Sequence, residues 1–226
     1  MRQQEELKIT MPGAKAIPTA NVKPTKPSGL TAQYVTIAIA LRIALFEYFD
    51  RSTLIAKRYS VDGNEELEAR RLTIVLLVAA LCESCINTAL ALSSEPNEFK
   101  TLERKPTLSK WFDEAKRVNP KFQLDRLSAV GFELAFVFDC RNSITHAKAE
   151  VYSETSTIHS GNHTPWAAMS HDRVLSVAKL PIALLNDLCS GTAPLIASMS
   201  SGVAWQLSLH EFEERSSVQR APEINP

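Results

Sequence analysis

The stretch from about Glu65 to Leu92 constrains the fold more than any other part of the chain. It contains no Gly or Pro. After a charged opening, EELEARR, it turns apolar on every side, LTIVLLVAALC. A helix that is apolar all round has to be covered by neighbours all round, so it predicts a central helix inside a helical bundle. The preceding run, TAQYVTIAIALRIALFEYFDRSTLIAKRY (31–59), is also free of Gly and Pro and predicts a first long helix, with room for a break at Asp50–Ser52. The turn VDGN (61–64) separates the two. With only 7 glycines in 226 residues, a sandwich or barrel built on many tight turns is disfavoured.

Further along, SSEPNEFKTLERKPT (93–107) reads as a loop. A short helix over about 108–118 follows, with Thr107 or Ser109 as its N-cap and Asn119-Pro120 as its stop. A long helix is predicted from about Leu124 to Glu150, with Leu127, Val130, Leu134, Val137 and Ile144 at helical spacing on its core face. Beyond it, VYSETSTI (151–158) and DRVLSVAKL (172–180) are β-branched and flank the turn-rich HSGNHTP, which predicts a small β-hairpin. Pro181 suits the first turn of a last helix over about 181–199, interruptible at Ser190-Gly191. The expected organisation is therefore a flexible basic arm (1–30, with four prolines), a helical core (31–150), a hairpin plus C-terminal helix packed on that core (151–200), and a polar tail (201–226). The fold class is mainly α, a bundle of about four to five helices with a hairpin extension.

Charge is balanced, 25 basic against 25 acidic residues, so any nucleic-acid site has to be local. One local surplus exists: Lys100 to Arg126 holds eight basic and four acidic residues, enough to meet a phosphate backbone or simply to form a solvated face. Four cysteines make no disulfide scaffold, and Cys82 and Cys85 lie inside the apolar run, which reads as reduced thiols in a cytoplasmic protein. The N-terminus lacks the apolar core of a secretory signal, and the longest unbroken apolar run, near Val75–Cys82, is short for a bilayer, so no membrane association is expected.

Chemistry concentrates in FDCRNSITHAKAE (138–150). At 100° per residue, Asp139, Asn142 and His146 fall within about 60° of one another, a polar stripe on an otherwise apolar helix. Arg141 projects about 140° from His146, near the core face, and its long side chain can reach around. A guanidinium, an amide and an imidazole around one spot suit a phosphodiester: Arg pairs with phosphate oxygens and His moves a proton near neutral pH.

The run Arg141-Asn142-Ser143-Ile144-Thr145-His146 resembles the Arg–x4–6–His motif of the HEPN superfamily (higher eukaryote and prokaryote nucleotide-binding domain), including the polar residue directly after the Arg. The order of helices over residues 31–150 is similar as well. Glu83 and Asn87, i and i+4 on the second helix, resemble polar positions that many members carry. The resemblance implies a metal-independent endoribonuclease of toxin–antitoxin or phage-defence type, needing no cofactor, and acting on RNA as a homodimer whose motif helices meet. A cognate antitoxin or regulatory protein would be a further partner. In that chemistry the RNA 2′-hydroxyl attacks the adjacent phosphate. His146 serves as general base or acid, Arg141 stabilises the phosphorane, and Asn142 orients either. Asp139 is added from the helical wheel alone. A carboxylate at Glu83 would be uncompensated in a central helix, and Arg141 is its natural partner.

Other motifs carry less. Cys82-Glu83-Ser84-Cys85 has zinc or redox spacing, but no second ligand pair lies where a four-ligand site could close, so core packing is the better reading. His159 and His163 lack a nearby carboxylate or Cys, Ser170-His171-Asp172 cannot form a relay because the residues are contiguous, and no Gly-rich phosphate loop exists. Two rivals to the nuclease stand: a HEPN-like scaffold or sensor that binds RNA, nucleotide or a protein without cutting, and a helical interaction module in which the motif is coincidental.

Overall fold

A computed structural model describes residues 30–56, 65–145 and 169–213; the Pro-rich arm, residues 146–150 of the expected motif helix and the first arm of the expected hairpin lie outside them. The described chain is helical: α1 (Leu30–Ala56), α2 (Glu65–Ser93), α3 (Pro96–Glu103), α4 (Thr107–Ser109), a π-helical turn (Lys110–Glu114), α5 (Ala115–Val118), α6 (Ala129–Thr145), α7 (His171–Cys189) and α8 (Pro194–Leu207).

The central position of α2 follows from its sequence. None of the residues 74–92 is exposed. The helix packs against α1, α6 and α7, and touches α3, α5 and α8. By length and composition α2 could also cross a bilayer, with mean hydropathy 2.0 over its most apolar window, of which 61% is buried inside the fold. Its largest neighbour, α1, runs unbroken through Asp50–Ser52 and turns Ala38, Leu41, Leu45, Tyr48, Phe49 and Ile55 into the core at helical spacing.

Three boundaries differ from expectation. Residues 96–103, expected as loop, form α3, because Pro96 occupies the first helical position, where a missing N–H costs nothing. The short helix starts at Thr107 after Pro106, and neither Thr107 nor Ser109 caps it. Helix α6 starts at Ala129 rather than Leu124. Asp125 and Ser128 form the preceding turn, the Asp125 carboxylate accepting from Leu127 N at 2.9 Å and Ser128 Oγ from Gly131 N at 3.1 Å. Gly131 is needed there, since a Cβ would come within 2.2 Å of the Asp125 carbonyl oxygen. Leu127, expected on the core face, thus lies outside the helix and is 75% exposed.

The largest correction concerns the hairpin. Its second arm, 172–180, is the first half of α7. Ser170 caps the helix by accepting from Arg173 N, and Val174, Val177, Leu180, Leu184 and Leu188 recur at helical spacing, all buried. Burial against α2 and α6 outweighs the β-preference of the branched residues. Pro181 therefore sits inside α7 instead of at its start. At the far end Cys189 is the last residue, Gly191 turns at φ +71°, and Pro194 opens α8. Helix α8 runs on to Leu207, and Leu207, Leu209 and Phe212 are buried, so the polar tail begins later than residue 201.

Candidate functional site

Helix α6 carries the motif across the side of α2. Leu134, Val137, Phe138 and Cys140 are buried, while Asp139, Asn142 and Ser143 face outward and are exposed, so the polar stripe read from the wheel is a surface feature. His146 lies just outside the described residues. Arg141 emerges between the two faces with its side chain 38% accessible. It is oriented from two directions. Nη1 donates to the Asn142 side-chain oxygen at 3.1 Å, and Nη2 lies 3.8 Å from Glu83 Oε2 on α2. Glu83 is not sealed in the core as its helix suggests; its side chain is 37% accessible.

One turn further along α2, Asn87 is half-buried and accepts from Lys110 Nζ at 2.7 Å. Lys110 is 1% exposed, and its ammonium also donates to the Glu103 carbonyl at 2.8 Å. Burial pushes its pKa down, and the charges of Glu83 and Glu103 push back. The cause of this burial is the π turn. With one extra residue in the turn, the Ala115 N–H reaches back to the Lys110 carbonyl, and Lys110, Trp111, Phe112 and Glu114 all face inward. Trp111 then donates its indole N–H to the Cys82 carbonyl at 3.3 Å. Glu83, Asn87, Lys110, Arg141 and Asn142 thus form one polar group, with two cations and a single carboxylate, opening towards the exposed face of α6.

Lys110 is the residue that sequence reading missed. It counts with the basic stretch 100–126, and at 100° per residue Leu108 and Phe112, two positions to either side, fall on the opposite face, so the spacing gives no sign of its burial. Of the other seven basic residues there, three are tied to acids: Lys105 and Arg117 to the buried Glu114, and Arg126 to Asp113. Lys100, Arg104, Lys116 and Lys121 remain exposed. Asn119, expected only as a helix stop, also caps another helix: its side-chain NH₂ donates to the carbonyls of Asp187, Leu188 and Ser190 at the end of α7.

A second ion pair was also missed. Glu133, on the core side of α6 and 8% exposed, binds Arg173 of α7 through Oε2 at 2.7 Å; its Oε1 is buried without a hydrogen-bond partner. Burial raises the Glu133 pKa and Arg173 pulls it back. The guanidinium of Arg173 also lies over the Phe136 ring, 4.8 Å from its centroid.

The competing motifs have structural roles. Cys82 and Cys85 are buried, and desolvation pushes both thiols well up, which keeps them protonated. Among the described residues no three His, Cys, Asp or Glu side chains converge to hold a metal ion. Ser170 caps α7, and His171 shares a 2.9 Å hydrogen bond with Tyr48, whose hydroxyl accepts from the buried Arg71 at 3.4 Å. This joins α1, α2 and α7; burial, and then Arg71, lower the His171 pKa. His159 and His163 lie outside the described residues. Compared with known proteins, the chain matches no family model, no curated protein and no solved structure.

Proposed function

We propose that the chain is a metal-independent endoribonuclease of HEPN type that works as a homodimer. The observation that carries this reading is the placement of Arg141: a half-exposed guanidinium, aimed by Glu83 and Asn142, at the edge of an exposed polar stripe on α6. Such a group can meet a phosphate without unfolding anything, and as a planar fork it can pair with two oxygens at once. By sequence, His146 follows on the same stripe. The RNA 2′-oxygen forms the new bond to phosphorus while the bond to the 5′-oxygen breaks. His146 takes the hydroxyl proton or supplies one to the leaving oxygen, and Arg141 offsets the charge that builds on the phosphorane. Lys110, 1% exposed and bonded to Asn87 and the Glu103 carbonyl, lies too deep to touch substrate.

Two copies would meet through the exposed Asp139–Asn142 face, making one water-restricted site from two stripes. Light scattering is expected to give a dimer at micromolar concentration; a strict monomer that retains activity would contradict this part.

The test of the chemistry is RNA cleavage by the purified protein in excess EDTA. Cleavage is expected to survive the chelator, to leave 2′,3′-cyclic phosphate and 5′-hydroxyl ends, and to stop with a 2′-deoxy group at the scissile position. Loss of cleavage in EDTA, or equal cutting of DNA, would overturn it. The scaffold reading is favoured by one observation, that Arg141 already has Glu83 beside it; RNA binding without cleavage, unaltered in Arg141→Ala, would decide for that reading.

A further inference from the structure

Helix α8, PLIASMSSGVAWQL, carries no charged residue. One of its faces, Ile196, Met199, Val203 and Leu207, is buried against the bundle. A second face is not. At 100° per residue Leu195, Ser198, Gly202 and Trp205 fall within about 80° of one another, turned well away from the buried four. Leu195 is 58% exposed and Trp205 74%. The spacing of this stripe, three, four and three residues, is that of the seam one helix offers to another.

Gly202 points the same way. Gly131 is required by its close approach to Asp125, and Gly191 takes a positive φ. A Cβ on Gly202, by contrast, would meet no described atom within 4 Å. The described fold therefore does not need a glycine there, and inside a helix glycine is less favourable than alanine. A helix arriving from outside does need it, because the missing side chain lets two backbones come close. On the neighbouring α1, Ile39 and Ile43 are also exposed. Arg42, between them, pairs with Glu211 at 2.8 Å, and Phe46 packs edge-on against Phe212. This part of α1 thus lies beside the end of α8 that carries Trp205, and the two isoleucines widen the apolar surface there.

We propose that this surface is a homotypic interface, in which α8 packs antiparallel on the α8 of a second copy about a two-fold axis near residue 200, flanked by Ile39 and Ile43. The occupant follows from the order of side chains along the stripe. Large apolar residues stand at its two ends and small ones between, and positions 195 and 205 are equidistant from the midpoint of 198 and 202. An antiparallel copy therefore sets Trp205 against the partner's Leu195, and Ser198 against the partner's Gly202. Pairing about a two-fold axis demands such self-complementarity of a single patch. Burying Leu195, Trp205, Ile39 and Ile43 on both copies removes on the order of 1,000 Å² from water, the size at which specific interfaces begin. RNA fits poorly, since the helix offers phosphate no cation. A lipid surface has no use for the narrow middle at 198–202. None of these residues belongs to the Asp139–Asn142 face, so the pairing is additional to the dimer proposed above and does not rest on the nuclease reading.

Sedimentation of the full-length protein from low to high micromolar concentration measures it. The unaltered protein is expected to double its mass over that range. The step runs from dimer to tetramer with the α6 dimer in place and from monomer to dimer without it, so the two interfaces fail separately. Trp205→Ala is expected to weaken the step about tenfold or more, as loss of a central interface tryptophan does. Gly202→Leu is expected to weaken it as much by wedging the helices apart, while the Tm does not fall, because the site is open and the helix loses a glycine. A glycine that served only the fold of the single chain would not give that combination. Absence of the mass doubling, or a doubling indifferent to either variant, would overturn the interface. So would a protein of constant mass that binds phosphatidylcholine vesicles through Trp205, which would give this face to lipid.

Discussion

Along α6 two ion pairs sit eight residues apart and are built in opposite ways. Glu133 and Arg173 are 2.7 Å apart with the carboxylate only 10% accessible, whereas Arg141 and Glu83 are 3.8 Å apart with both side chains more than a third accessible. The first pair fastens α6 to α7 and cannot open without exposing a buried charge to an apolar wall. The second is long and screened by water, so the Glu83 contact itself adds little that a better anion would have to replace. The same residue types therefore act as architecture at one end of the helix and as a usable cation at the other, and burial decides which.

The largest expected effect comes from breaking the buried pair on one side. Arg173→Met leaves Glu133 without its cation and should destabilise the fold by about 3 kcal/mol at neutral pH, read by thermal or urea unfolding. The pH dependence has a definite sign. Burial holds the folded-state pKa of Glu133 above its unfolded value, so the folded form binds the extra proton, and stability is lost as pH rises through that raised pKa. Removing Arg173 takes away the opposing influence and raises it further. The Arg173→Met deficit should thus shrink as the pH is lowered from 7 towards 5; a deficit that grows on acidification would refute this picture of the pair.

A smaller effect is expected at the other end. Glu83→Ala should cost no more than about 1 kcal/mol, a shift of only a few degrees in Tm for a chain of this size. A loss as large as that of Arg173→Met would mean that Arg141 is a structural cation and would erase the contrast. The smallest effect is salt dependence. Going to about 1 M NaCl, where the Debye length falls to roughly 3 Å, should abolish what remains of the Glu83→Ala deficit and leave most of the Arg173→Met deficit in place.

How much of this was legible in the sequence varied with how local the cause is. The first two helices and the buried centre of α2 could be read because long Gly- and Pro-free runs state both length and burial. The proximity of Glu83 and Arg141 could be anticipated from charge compensation, although the depth of Glu83 could not. Residues 172–180 were misread because β-branched composition is a local signal, while the burial of Val174 and Val177 against α2 and α6 is not. The π turn that buries Lys110 leaves no mark in the spacing of its residues. Glu133 did leave one: it shares the core face with Val130 and Val137, three residues before and four after, and a carboxylate on such a stripe requires a partner.

The central claim is that Arg141 works on substrate and does not hold the fold. The direct measurement is the RNA cleavage rate and the melting temperature of Arg141→Ala, taken side by side with the unaltered protein. The account predicts a rate lowered about 10²-fold or more, the scale lost when a preorganised charge-stabilising group is removed, with the Tm moved by no more than a few degrees. An unchanged rate, or a rate lost only together with the folded state, would contradict it.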